Sequence, residues 1–247
     1  MIDYSTADGI ARITLNRPEK RNALNAEMIA SLKEAIDRAA GDNDAGVILL
    51  RAAGKDFCAG LDVKGLTQTH DVMDHFSSAR ALADLYIAMR GNPKVIVAAV
   101  HGRAIGGGAG IATASDLILC SQSAELRYPD INLGFIAAIV MSMLRRQVSE
   151  KQAFEIVALG ESISAAAAKE LGIVNQVFPD AEFEARALSY AAVLASKPAS
   201  ALTLTKDLFH HMDGMPFESA IHAGLYANAL ARMTKEAQKG FEGFLKK

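Results

Sequence analysis

The sequence predicts an α/β core followed by an all-helical C-terminal region. Three observations carry that expectation. Apolar runs of strand length alternate with segments of helical periodicity over the first half of the chain. Two of those runs, 47–50 and Val95–Val100, are apolar throughout, the pattern of strands covered on both faces. Beyond Pro129 helical periodicity takes over.

The elements follow in order. Ile10–Leu15 alternates apolar and polar residues and reads as the first strand, ended by Asn16-Arg17-Pro18. Asn25 is placed to cap a helix to about residue 40, with Met28, Ile29, Leu32, Ala35, Ile36 and Ala39 on one face. Gly41-Asp42-Asn43-Asp44 breaks the chain before the buried strand at 47–50. Residues 52–66 form a loop with glycines at 54, 60 and 65, and 71–89 is helical. Asn92-Pro93 punctuates, and Val95–Val100 is the second buried strand. A glycine cluster at 102–110 turns into a short helix of small residues over 109–114, and 117–120 is a third short strand. Segments near 139–147, 149–159, 164–171, 181–196, 199–212, 216–232 and 234–246 carry helical periodicity. At roughly 150 residues per domain, 247 residues allow one to two domains. The expected division is an α/β core over 1–190 and a helical region over 191–247.

Composition narrows the function. With 26 Lys plus Arg against 28 Asp plus Glu, the net charge of −2 gives no general electrostatic grip on nucleic acid. At 51% hydrophobic and 22% charged, the chain can bury a large core. Cys58 and Cys120 make neither a disulfide framework nor a zinc site and read as buried, inert thiols. The first twenty residues show no basic stretch leading into an apolar core, and no apolar run approaches the roughly 20 residues of a membrane span. The expectation is a cytoplasmic protein with no membrane partner.

Three catalytic patterns fail. GRAIGGGAG matches neither the dinucleotide fingerprint nor the phosphate loop in any register. There is no G-x-S-x-G elbow. No two His stand at i, i+4 beside a Glu for a zinc hydrolase. Two features remain, each following a buried strand: the loop from Lys55 to Lys64 and the triplet Gly106-Gly107-Gly108 before a helix. Loops after strand ends are favoured ligand sites in α/β folds. Consecutive glycines let a ligand approach the backbone, and a helix start favours negative charge. If adjacent, the two loops could each aim an N–H at one carbonyl oxygen, an oxyanion hole suited to a thioester enolate. The same glycines would equally serve tight strand–helix packing.

FCAGLDVKG at 57–65 and HGRAIGGGAG at 101–110, with LNRPEKRNALN at 15–25, YPDINLGF at 128–135 and ALGESISAAAAKELGIVNQVFP at 158–179, resemble the crotonase superfamily of enoyl-CoA hydratases and isomerases. The resemblance spans nearly the whole chain. It implies a ClpP-like spiral of ββα units, with a C-terminal helical region that packs into trimers, often paired into hexamers. It implies an acyl-coenzyme A substrate, with coenzyme A part of that substrate and no metal or redox cofactor. The implied oxyanion donors are the N–H groups of Leu61 and Gly107. Gly106 belongs to the same loop. Arg21 and Ala23 would lie near the CoA nucleotide and pantetheine, Ala59, Asp62 and Val63 would line the adenine and pantetheine region, and Lys64 would approach the acyl or phosphate end. Phe244, Lys246 and Lys247 resemble a tail that touches CoA in a neighbouring subunit.

The acid–base residues depart from the family pattern. The resemblance places the first hydratase glutamate at Gly110, which has no side chain to hold water. The second falls on Asp130, one methylene short of a glutamate. A lone carboxylate suits isomerisation, in which one group moves a proton from the α- to the γ-carbon. Weak hydration by Asp130 and water, improved by Gly110→Glu, and non-catalytic acyl-CoA binding are the alternatives. Tyr128 and Phe135 are expected to line the acyl cavity, Asp116 to support a strand, and His101 to stand behind the glycine loop.

Overall fold

The computed structural model describes residues 1–62 and 71–246. A six-stranded sheet has the order β1-β2-β3-β4-β6-β9, with β1 (Ile2–Ala7), β2 (Ile10–Leu15), β3 (Val47–Ala52), β4 (Val95–Val100), β6 (Leu117–Ser121) and β9 (Gln176–Phe178). Only β1 runs antiparallel to its neighbour. A second sheet joins β5 (Arg103–Ile105), β7 (Glu125–Arg127) and β8 (Ser162–Ser164).

The two sheets are linked by a repeated path. After β2 the chain reaches Leu24, which bridges Leu61; after β3 it reaches Cys58, which bridges Ala104 in β5. After β4 comes β5, and after β6 comes β7, its parallel partner. Each turn therefore gives one long strand to the main sheet and one short piece to the second ladder, before helix α1 (Ala26–Gly41), α2 (Val72–Gly91) or α3 (Gly107–Ala114). This is the spiral of ββα units that the family resemblance implied.

Both faces of the main sheet are buried. Ile13, Leu15, Ile48, Leu50, Ile96 and Ala98 share one core with α1, α2 and α3. Ile10, Val47, Leu49, Val97 and Leu119 point the other way, against Phe183, Ala187 and Ala191 of α7 (Phe183–Ala195). Alternation along strands covered on both sides explains why 47–50 and Val95–Val100 are apolar throughout. Asn25 caps α1 through its side chain, and the six residues read as its apolar face are the six that are buried.

Several boundaries differ from expectation. The region after Pro129 is not purely helical: between α5 (Glu150–Leu159), α6 (Ala165–Glu170) and α7 it places β8 and β9, with α4 (Ala138–Leu144) ahead of them. Helix α3 starts at Gly107 rather than 109, since glycines can take the first turn of a helix whose remaining residues are buried against the core. Residue 190, the expected end of the α/β core, falls within α7. Helices α8 (Ala199–His211), α9 (Phe217–Arg232) and α10 (Lys235–Leu245) follow. Among the described residues no helix is long and apolar enough to cross a membrane.

One polar cluster ties α8 to the core. The buried Lys206 Nζ lies 2.7 Å from Asp116 Oδ2. It also donates to the carbonyls of Met89 at 3.1 Å and Lys94 at 2.9 Å. His210 Nε2 is 3.0 Å from Asp116 Oδ1, and the Ile96 N–H donates to Asp116 Oδ2 at 2.7 Å. Burial pushes the Lys206 ammonium down, and the neighbouring Asp116 opposes that shift. Asp116 is the strand-supporting acid the sequence suggested. Asp116→Ala leaves a buried ammonium unpaired and should cost about 3 kcal/mol, measured by chemical denaturation. A loss typical of an exposed ion pair, below about 1 kcal/mol, would contradict this account.

Candidate active site

The first loop leaves β3 and is fixed from both sides. On one side stands Asn22, fully buried, which with Arg21 adopts a left-handed backbone at φ 55° and 50°. Its Oδ1 accepts the Arg17 N–H at 2.8 Å. Its amide donates to the carbonyls of Ala53 at 2.9 Å and Asp56 at 3.0 Å. Its own carbonyl accepts the Cys58 thiol at 3.0 Å. Three backbone bonds then set the register: Ala59 N–H to Arg21 O at 3.0 Å, Leu24 N–H to Gly60 O at 2.8 Å, and Asp62 N–H to Leu24 O at 2.9 Å. Arg21, Ala23, Ala59, Leu61 and Asp62 are thereby brought together. The Asp62 carboxylate pairs with Arg17 at 3.4 Å, and Arg17 also donates to the Ala23 carbonyl at 3.1 Å. Val63 and Lys64 lie outside the described residues, as does Lys247.

On the other side the loop joins the second sheet. Cys58 N–H donates to Arg103 O at 3.1 Å, and Ile105 N–H to Cys58 O at 2.9 Å. Arg103 grips the buried Asp56 with both ends of its guanidinium, at 2.8 and 2.9 Å, and holds that carboxyl below its usual range. His101 Nε2 sits 2.9 Å from the Gly54 carbonyl, supporting the loop from behind. Burial pushes the Cys58 thiol up to about 12, so it is inert, as the sequence suggested.

The second loop turns at Gly106, whose φ of 50° and ψ of −117° suit glycine alone. Its N–H donates to Arg127 O at 2.8 Å, and its carbonyl accepts the Gly110 N–H at 2.9 Å. Gly107 then opens α3. A Cβ added there would lie 3.2 Å from Leu24 Cδ1 and 3.8 Å from Leu61 N, so the two loops are in contact. Among the described residues neither the Leu61 nor the Gly107 N–H meets an acceptor in the protein. Two adjacent free donors on fixed backbone can stabilise an oxygen that gains negative charge.

Asp130 opens a short 3-10 turn, three residues beyond the Arg127 carbonyl that holds Gly106. It is half-buried, and that burial raises its carboxyl above the usual carboxylate range. The apolar run after it is exposed, Phe135 at 53% and Ile136 at 59%. Tyr128 is a correction: it is fully buried, its hydroxyl 2.8 Å from Thr113 Oγ1, and it is a core residue rather than a cavity wall.

Gly110 is a second correction. A Cβ there would overlap the Tyr86 hydroxyl and lie 2.8 Å from its Cζ. Gly110→Glu therefore has no room beside Tyr86, which removes the gain that the alternative of weak hydration assigned to that exchange. The Tyr86 hydroxyl donates to the Gly107 carbonyl at 2.9 Å. Sequence reasoning gave no role to Tyr86, Arg17 or Asn22. The latter two stood inside LNRPEKRNALN, whereas Tyr86 carried no signal beyond its place on a helical face.

A polar cavity of about 780 Å³ lies beyond the Asp56–Arg103 pair, and none of the expected site residues lines it. Its walls mix both signs of charge, with Arg51 and Lys55 alongside Glu125, Asp180 and Glu184. Among the described residues no group of three His, Cys, Asp or Glu side chains could hold a metal ion.

The family model for enoyl-CoA hydratase/isomerase matches residues 5–247. A Thermus thermophilus relative named for enoyl-CoA hydratase is 35% identical over 240 residues, 96% of this chain and 95% of its own. The human mitochondrial enoyl-CoA hydratase domain-containing protein 3 is 30% identical, covering 97% of this chain and 79% of its own. Among solved structures, an enoyl-CoA hydratase of Mycobacterium smegmatis superposes with a TM-score of 0.96 at 30% identity, over 99% of this chain and 96% of that one. With the whole-chain match, the ββα spiral and the paired glycine loops in agreement, the chain belongs to the enoyl-CoA hydratase/isomerase family and has its crotonase fold.

Proposed function

We propose that this chain is an acyl-CoA enzyme that stabilises a thioester enolate on the Leu61 and Gly107 N–H groups and moves protons with Asp130 alone. The observation that carries the reading is a pair of N–H donors that meet no acceptor among the described residues, on two loops in contact, with a half-buried carboxyl following the strand that anchors the second loop. Asp130 takes a proton from the α-carbon of a 3-enoyl thioester. The electron pair passes to the carbonyl oxygen, which the two N–H groups hold. The same carboxyl returns the proton to the γ-carbon, leaving the double bond between the α- and β-carbons. Isomerisation is preferred to hydration because the space in front of Gly110 is filled by Tyr86, so a second carboxylate and its water have no place there. The reading draws on no metal or redox group.

Arg21, Ala23, Ala59 and Asp62 stand along one edge of the first loop, where the CoA portion would run, and the exposed Phe135 would border the acyl chain. The helical region over 191–247 is proposed as the surface for a trimer, or a hexamer of paired trimers. Phe217, Ile221 and Leu225 are exposed one helical turn apart on α9, and Phe244 on α10 is 80% exposed. A cytoplasmic setting is proposed with it.

Turnover in deuterated water tests the mechanism. The enzyme and Asp130→Asn each meet trans-2-enoyl, cis-3-enoyl and saturated acyl-CoAs, and products are read by mass. Double-bond migration or deuterium entry at the α-carbon should fall by about 100-fold or more in the variant. A gain of water by the wild type would favour the hydratase reading. Binding without any turnover would favour a non-catalytic acyl-CoA-binding protein.

The pH dependence carries its own sign. Burial raises the Asp130 carboxyl, so the base form is lost as pH falls through a value above the ordinary 3.8. The exchange rate should rise with pH through that raised value, and Asp130→Asn should abolish the step. For stability the sign is opposite: the folded state binds this proton more tightly than the unfolded state, so its contribution declines as pH rises. Asp130→Asn should accordingly melt no lower than wild type at neutral pH, which a thermal scan checks.

A further inference from the structure

We propose that Tyr86 is a positioning residue that fixes the aim of the Gly107 N–H through its hydrogen bond to the carbonyl of the same residue. The inference rests on the reading of Leu61 and Gly107 as oxyanion donors. Three consecutive glycines have wide backbone freedom, and a donor is useful only if it points at the oxygen when charge develops there. Something must therefore restrain the triplet. Gly106 is held by Arg127 through its N–H, the Gly106 carbonyl that shares a peptide plane with the Gly107 N–H accepts the Gly110 N–H, and Gly108 packs on Cys58, which leaves the peptide on the carbonyl side of Gly107. Tyr86 reaches it from α2, at 2.9 Å from its carbonyl oxygen.

The contact is built for one position. Tyr86 is buried, at 4% exposure, and its hydroxyl lies where any side chain at 110 would begin. Glycine at 110 thus makes room for the Tyr86 hydroxyl, and the hydroxyl in turn braces the first turn of α3. Burial, with the nearby Cys58, Tyr128 and Asp130 acting the same way, raises the phenol well above its ordinary value. That shift favours the protonated form, which donates to the Gly107 carbonyl.

Tyr86→Phe removes one oxygen and leaves the ring. Two probes separate positioning from packing. Acetoacetyl-CoA loses its C2 proton to give an enolate that absorbs in the near ultraviolet, and butyryl-CoA stands for the uncharged thioester. Wild type should show the enolate band on binding acetoacetyl-CoA. Tyr86→Phe should weaken enolate binding about 10-fold, leave butyryl-CoA binding unchanged, and lower kcat more than it alters KM. Tyr86→Leu, which also removes the ring, should shift the same ratio in the same direction. If Tyr86→Phe weakens both ligands equally, or neither, the residue only packs and the proposal is overturned. If wild type itself gives no enolate band, the oxyanion reading falls, and the positioning role falls with it.

Discussion

The distance between the Cys58 carbonyl and the Gly108 α-carbon is the constraint on which the site depends. A Cβ at 108 would overlap that oxygen and lie 2.6 Å from the Cys58 Cβ, so only glycine allows the second loop to lie this close to the first. The approach is enforced by a ladder and not by side-chain packing alone: Cys58 N–H bonds Arg103 O, and Ile105 N–H bonds Cys58 O. The same ladder runs on to Leu24 on one side and to β7 and β8 on the other. The spiral therefore creates the site. Each turn of chain must add a short piece to this second sheet, and at Leu61 and Gly107 the N–H meets no acceptor among the described residues.

Polar side chains hold the loops where the ladder is thin. Asn22 bonds to Arg17, Ala53 and Asp56, and its carbonyl takes the Cys58 thiol. Asp56 takes both ends of Arg103. Buried polar groups cost stability unless they are paired, so such a network is tolerable only when complete. Asn22 meets that condition, with its acceptor oxygen and both protons of its amide engaged. The network fixes the backbone that leads into Leu61.

Much of this was legible in the sequence, for physical reasons. Helix α1 could be read because an Asn cap and six apolar residues at helical spacing are local signals. Strands β3 and β4 could be read because burial on both faces removes polar residues. The three-residue strands β5, β7, β8 and β9 could not, since three residues show no alternation and gain their order only from distant partners. Strand β1, ahead of the Ile10–Leu15 strand that the sequence marks, carries a weaker signal because its inward residues are only partly covered at the sheet edge. At the site, the glycine loops and Asp130 stood out by motif. Tyr86 did not, because it lies 21 residues from Gly107 and shares a helical face with Leu82, Leu85 and Met89, as a core residue would. Tyr128 shows the converse: it stands two residues from Asp130 in the motif, yet its side chain is fully buried in the core.

The division of labour in the site follows from what each group can titrate. Backbone N–H donors carry no ionisable proton in the range where proteins fold, so their strength is independent of pH. Tyr86 and Cys58 are buried and held in their neutral forms. Asp56 is held ionised by Arg103, away from the donors and facing the polar cavity. Asp130, which follows the strand that holds the second loop, is moved by burial toward its protonated form. A carboxyl so placed gives up less energy when it accepts a carbon-bound proton than a fully solvated one does, because its charged state was already disfavoured. On the proposed reading the site would pair fixed donors for the oxygen with one adjustable acid for the carbons, the first supplied by the glycine loops and the second by Asp130 after β7.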